Sequence, residues 1–125
     1  MTESAMILLA HGSRDEHWRR PFDALMERLG ALNSEMCCRL AYLEHCEPDL
    51  SSVVAGLYQE GVRSISILPL FFSAGRHLRD DVPRIVRHFL DQFPQLSVSL
   101  LEPIGGHSSF QALMVEHILS LMVDD

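Results

Sequence analysis

Lysine is missing altogether: the ten basic residues of this 125-residue chain are all arginine. Against seventeen Asp and Glu they leave a formal net charge of -7, which argues against a nucleic-acid partner and repels polyanions at long range. Cysteine is scarce. Cys37, Cys38 and Cys46 are an odd number with no paired framework, which points to a reducing compartment and a cytoplasmic location. Cys37 and Cys38 are expected in a strand, packed as small hydrophobes. No apolar run reaches the length of a membrane span, and Met1–Ala5 lacks the basic start of a secretory leader. There is no Walker glycine loop and no G-x-G-x-x-G, so no nucleotide is expected. The G-x-S-x-G elbow is absent too, which leaves Ser13 weak as a hydrolase nucleophile.

What is present alternates. Ala5–Ala10 is a continuous apolar run, as in a strand covered on both faces. Phe22, Leu25, Met26 and Leu29 recur at helical spacing and predict a helix ending between Gly30 and Asn33, with Pro21 either starting or bending it. Met36–Leu43 reads as a second strand, and Leu50, Val53, Val54, Leu57 and Tyr58 as one face of a second helix closed by Gly61. Ser64–Leu70 and Leu96–Leu101 complete the strands. Between them lies a helix carrying Ile85, Val86, Phe89, Leu90 and Phe93. A last helix, capped by Ser108 or Ser109, shows Phe110, Leu113, Met114, His117, Ile118, Leu121 and Met122 at 3–4 spacing, with His117 at the core edge. Four strand–helix repeats predict an α/β fold: a single domain over residues 1–125, a doubly wound, mainly parallel four-stranded sheet flanked by helices.

Such sheets bind ligands beyond the carboxyl ends of their strands. His11-Gly12-Ser13-Arg14-Asp15 follows the first strand, and Glu44, His45 and Glu47 end the second. Ser73-Ala74-Gly75-Arg76-His77 follows the third, and Glu102 with Gly105-Gly106-His107 the fourth. The opposite edge, at Asn33–Glu35 and Gly61–Arg63, has no histidine. His11 and His77 share a setting of strand tip, adjacent glycine and nearby arginine. From adjacent strands they would face one crevice. Two imidazoles and a carboxylate suit a divalent first-row metal, though spacing alone leaves metal binding open. His17, His45 and His88 read as solvated residues or caps, and Gly105-Gly106 as a turn.

"HGSRD", "YLEHCEP", "LPLFFSAGRHLRDDVP" and "EPIGGH", in that order along nearly the whole chain, resemble the short CbiX-type class II tetrapyrrole chelatases. The most specific part is H-G-S paired with the later P-L-F-x-x-x-G-x-H-x-x-x-D-V-P. The resemblance implies ATP-independent insertion of a divalent metal, Co²⁺ before Fe²⁺ or Ni²⁺, into sirohydrochlorin during cobalamin or siroheme synthesis. It implies that His11 and His77 bind the metal and help remove the pyrrole protons, that Glu44 (or its rival Glu47) assists, and that the chain forms a homodimer. The histidine-rich run of some members is absent here, since the seven histidines are scattered.

Neutral imidazoles would strip water from the cation, and His77 or Glu44 would act as base. Leu70-Phe71-Phe72 would wall the flat ring, and Ser73, Ala74 and Gly75 would let the backbone approach it. Sirohydrochlorin is polyanionic and the chain acidic, so local charge from Arg14, Arg76 and Arg79, with Ser13 nearby, would hold its carboxylates. Those arginines could instead pair with Asp15, Asp80 or Asp81. Asp81, four residues after His77, could orient that ring. The rival reading is a non-catalytic metal or tetrapyrrole carrier on the same fold.

Overall fold

A computed structural model describes residues 4–33, 35 and 37–123, and of His77 only the backbone. The first apolar run becomes β1 (Ser4–Ala10), followed by α1 (Glu16–Leu32), β2 (Cys38–Tyr42), α2 (Leu50–Gln59), β3 (Ser64–Pro69), α3 (Arg76–Gln92) and β4 (Ser97–Leu100). A 3-10 turn at Ile104–Gly106 leads into α4 (Ser108–Val123). Met36, expected to open the second strand, lies outside the described residues.

The sheet is parallel throughout, in the order β2-β1-β3-β4. The order in which strands are added therefore reverses at the β1/β3 boundary, so these two carboxyl ends flank the crevice where ligands settle in open sheets. Alternation assigns the faces. Ala5, Ile7 and Leu9 of β1 join Ile65 and Ile67 of β3 in the main core, against α2 (Val54, Leu57) and α3 (Val82, Phe89). Leu8 and Ala10 point the other way, where Tyr42 meets Trp18 and Phe22 of α1. This is the expected doubly wound arrangement.

One helix expectation is narrowed and one corrected. Asp15 caps α1 by accepting from the His17 N–H at 2.9 Å, so α1 begins five residues before Pro21, which sits one turn inside it. Ser108 and Ser109 are helical rather than caps, because the Gln111 N–H already bonds the His107 carbonyl at 3.0 Å. The larger surprise is α4, in which no residue is buried, His117 included. Its stripe of apolar spacing finds no core within the chain.

Candidate active site

Gly12 explains why β1 gives way abruptly to a histidine and a glycine. Its φ is +107°, and a Cβ there would overlap the Glu44 carbonyl oxygen. Only glycine tolerates both the conformation and the approach. β1 and β2 consequently stay paired past their formal ends. The Leu43 N–H donates to the Ala10 carbonyl at 3.0 Å and the Glu44 N–H to the His11 carbonyl at 3.1 Å. That ladder sets two side chains abreast, and His11 Nε2 lies 3.2 Å from Glu44 Oε2. The other carboxylate oxygen of Glu44 is 3.3 Å from His45 Nε2. His45 itself adopts a left-handed φ of 70°. His45, expected to be solvated, is about half exposed and also faces this carboxylate.

Below this pair opens a cavity of about 530 Å³, lined by His11, Glu44 and Leu43 on one side and by Phe71, Ser73, Gly75 and Arg76 on another. Leu78, Val82 and Ile85, at successive turns of α3, supply its floor together with Asp81. The Phe71 ring stands 6.1 Å from the His11 ring at 58°. The site is thus an apolar slot with polar groups at its rim, the usual form of a small-molecule pocket.

His77 is not on a strand tip. Residues 70–75 intervene after β3, and His77 is the second residue of α3, between Arg76 and Leu78, both of which line the cavity. Gly75, in extended backbone (φ -75°, ψ 176°), immediately precedes the helix. Asp81 lies one turn further on the same helix, as the four-residue spacing requires. Among the described residues there is no cluster of three or more His, Cys, Asp or Glu able to hold a metal.

Of the groups expected around the ring, Ser73, Gly75 and Arg76 line the cavity. Ser13, Arg14, Ala74 and Arg79 do not. Ser13 Oγ accepts from the Asp15 N–H at 3.1 Å, and its carbonyl accepts from Arg19 Nη1 at 2.8 Å, so this residue ties the first loop together. Ala74 packs against the core. Phe71 walls the slot, while Phe72 turns outward onto Phe110 at 6.2 Å. Among the described residues, Arg14, Arg76 and Arg79 make no ion pair; Asp81 instead has Arg84 at 3.8 Å. Glu47 lies off the cavity lining, so Glu44 is the carboxylate that meets His11. Sequence reasoning missed Leu43, Leu78 and Val82. The i, i+4 spacing of Leu78 and Val82 was visible, but it also fits plain core packing. The Cys38 thiol is pushed up by burial and further by Cys37, which disfavours a thiolate ligand there.

The CbiX family model matches residues 5–121. The chain belongs to the CbiX family. The sirohydrochlorin cobaltochelatase of Methanosarcina barkeri is 30% identical over 87 residues, covering 69% of this chain and 67% of that protein. The sirohydrochlorin ferrochelatase of Priestia megaterium is 25% identical over 120 residues, which cover 96% of this chain but 45% of that longer protein. Among solved structures, a CbiX protein of Marinobacter aquaeolei superposes with a TM-score of 0.83 at 32% identity, covering 95% and 97% of the two chains. The cobalt complex of the sirohydrochlorin chelatase SirB from Bacillus subtilis subspecies spizizenii gives 0.80 at 21% identity. This chain spans 51% of that SirB, and the likeness is one of fold.

Proposed function

We propose that this CbiX-family chain acts as one chelatase unit that inserts a divalent metal into sirohydrochlorin without ATP, in cobalamin or siroheme synthesis. The observation that carries the reading is the His11–Glu44 pair, 3.2 Å apart, at the rim of an apolar slot between the carboxyl ends of β1 and β3. Co²⁺ is the proposed substrate metal, since the 30% identical Methanosarcina relatives are cobaltochelatases. Fe²⁺ and Ni²⁺ suit the same nitrogen and oxygen donors. The proposed setting is cytoplasmic, on the odd count of three free cysteines. The working form is a homodimer, as the family resemblance implies.

Insertion replaces the water around the cation with macrocycle nitrogens and releases two pyrrole protons. His11 and His77 take the incoming ion by exchanging imidazole for water, and Glu44 neutralises part of its charge. As the metal passes to the ring, the freed imidazole and carboxylate accept the protons. Both His11 and Glu44 are about half exposed, so the protons can pass on to solvent. Phe71 and Leu43 contact the flat ring, and Arg76 holds a peripheral carboxylate through its two-pronged guanidinium. Arg14 and Arg79, off the lining, steer the polyanion against the net charge of -7.

The test is metallation of sirohydrochlorin by Co²⁺ followed by absorbance, with and without protein. Many turnovers per chain, lost in both His11→Ala and His77→Ala, are expected. Product limited to one equivalent per site would show a carrier instead.

A further inference from the structure

We propose that His45 and Glu44 form a loading station for the divalent cation, from which the ion crosses the Glu44 carboxylate to His11. The proposal rests on the chelatase reading above and adds to it a ligand and a route by which the metal arrives.

The backbone explains how two neighbouring side chains come to meet. Successive residues of a strand point to opposite faces. Glu44 ends the ladder with β1, its N–H donating to the His11 carbonyl at 3.1 Å. His45 then takes a left-handed φ of 70°. That turn breaks the alternation and sets the His45 ring against the carboxylate beside it. Histidine enters the left-handed region more readily than most residues that carry a side chain.

The Glu44 carboxylate serves both imidazoles. Its Oε2 lies 3.2 Å from His11 Nε2, and its Oε1 lies 3.3 Å from His45 Nε2. An imidazole N–H spans such a gap as a hydrogen bond. Two donors on one first-row cation, each about 2.1 Å from it, stand about 3.0–3.4 Å apart. A cation therefore fits the same gaps once the ring proton sits on Nδ1 and the Nε2 lone pair is free. The three side chains make two pairs in a row and not one three-ligand cluster. Structural sites hold their ion with four protein ligands. A pair completed by water holds it loosely, which suits a station that must give the ion up.

Placement separates the two gaps. His11 and Glu44 line the cavity, whereas His45 does not. A flat ring seated against Phe71 covers the inner gap. The outer gap, with both side chains about half exposed, still faces solvent. The net charge of -7 draws cations to the surface, and Glu44 supplies negative charge at the station itself. An ion held by His45 Nε2 and Glu44 Oε1 moves inward as its bond shifts from Oε1 to Oε2. One metal–nitrogen bond, to His45, is exchanged for another, to His11. The ion stays on Glu44 throughout, and no electron is transferred.

Two substitutions at position 45 separate ligation from a hydrogen bond. His45→Gln keeps an N–H in the place of Nε2 but is a poor ligand. His45→Glu removes that donor and supplies an oxygen ligand. Initial rates are measured against Co²⁺ with sirohydrochlorin saturating. His45→Gln should raise KM for Co²⁺ by about fivefold or more, with kcat within about twofold and KM for sirohydrochlorin unchanged. His45→Glu should recover most of that loss. The reverse order, with Gln like wild type and Glu impaired, would show a hydrogen bond that only positions Glu44 and would overturn the station.

The second measurement needs no sirohydrochlorin. Zn²⁺ is titrated into the full chain carrying His11→Ala and His77→Ala, and the ¹⁵N resonances of the remaining histidine rings are followed. His45 Nε2 should shift, and adding Glu44→Gln should weaken the response by about tenfold or more. A His45 resonance that Zn²⁺ leaves unmoved, in a chain folded by circular dichroism, overturns the station. Zn²⁺ bound at His45 in a protein that metallates nothing overturns chelation alone. Metallation with a KM for Co²⁺ indifferent to both substitutions overturns the station alone.

Discussion

The backbone of Gly12 and the carbonyl of Glu44 are in such close contact that no side chain fits between them, and Gly12 holds a φ of +107° to make that contact. The consequence is functional, since the same contact lets β1 and β2 continue as a ladder to the residues whose side chains meet, His11 and Glu44. Gly12→Ala brings both a strained φ and an overlap with backbone that has little freedom to yield. We expect it to destabilise the chain by about 2 kcal/mol or more, measured as a lowered urea midpoint. We also expect it to lose metallation under conditions where the variant is still folded. An unchanged midpoint would show that the loop relaxes freely.

His11→Ala and Glu44→Gln separate the two halves of the pair. Loss of the imidazole should reduce turnover by about 10²- to 10⁴-fold, the range for a positioned proton acceptor. Glu44→Gln keeps the shape but removes the negative charge, and should reduce turnover less while leaving KM for sirohydrochlorin nearly unchanged. Steady-state rates with each variant check both statements. Circular dichroism confirms that the fold is kept. Glu47→Gln, off the cavity lining, should behave as wild type.

The arginines can be ranked by position. Arg76 lines the cavity, whereas Arg14 and Arg79 do not. A charge-assisted hydrogen bond contributes about 1.5–3 kcal/mol, so Arg76→Ala should raise KM at least tenfold with a small change in kcat. Arg14→Ala and Arg79→Ala should change KM by less than about threefold, with an effect that fades as salt rises and screens long-range attraction. Arg76→Lys should recover only part of the loss, since an ammonium lacks the planar fork.

The strands were legible because a parallel strand covered on both faces must be apolar, and Ile7, Leu9, Ile65 and Ile67 meet that demand. His11 was legible for the same reason: an imidazole directly after such a run has to sit at the carboxyl edge. The choice between Glu44 and Glu47 was not, because it depends on a ladder that outlasts the strand, and only the Gly12 backbone reveals this. Arg14 and Arg79 lie off the cavity lining, because proximity in sequence to a histidine does not fix direction on a loop or helix. α4 shows a different limit. Its 3–4 spacing reads as a buried face, yet none of its residues is buried, because periodicity marks an apolar stripe and not what packs on it.

Asp49 offers a test of the fold apart from the site. It caps α2, accepting from the Ser52 N–H at 2.8 Å, and hydrogen bonds from the Ser52 side chain and backbone hold its carboxyl below the ordinary value of 3.8. A carboxyl lowered on folding stabilises the native state fully above its unfolded value. That contribution disappears as pH falls through the lower, folded value. Asp49→Ala should therefore cost about 1 kcal/mol at neutral pH. The difference from wild type should shrink as the pH falls below the ordinary carboxyl value and the wild-type carboxyl takes up its proton. Urea midpoints of both proteins across that range provide the check. A gap that widened toward acid would mean that the cap is stronger when protonated, contrary to the charge-assisted bond described.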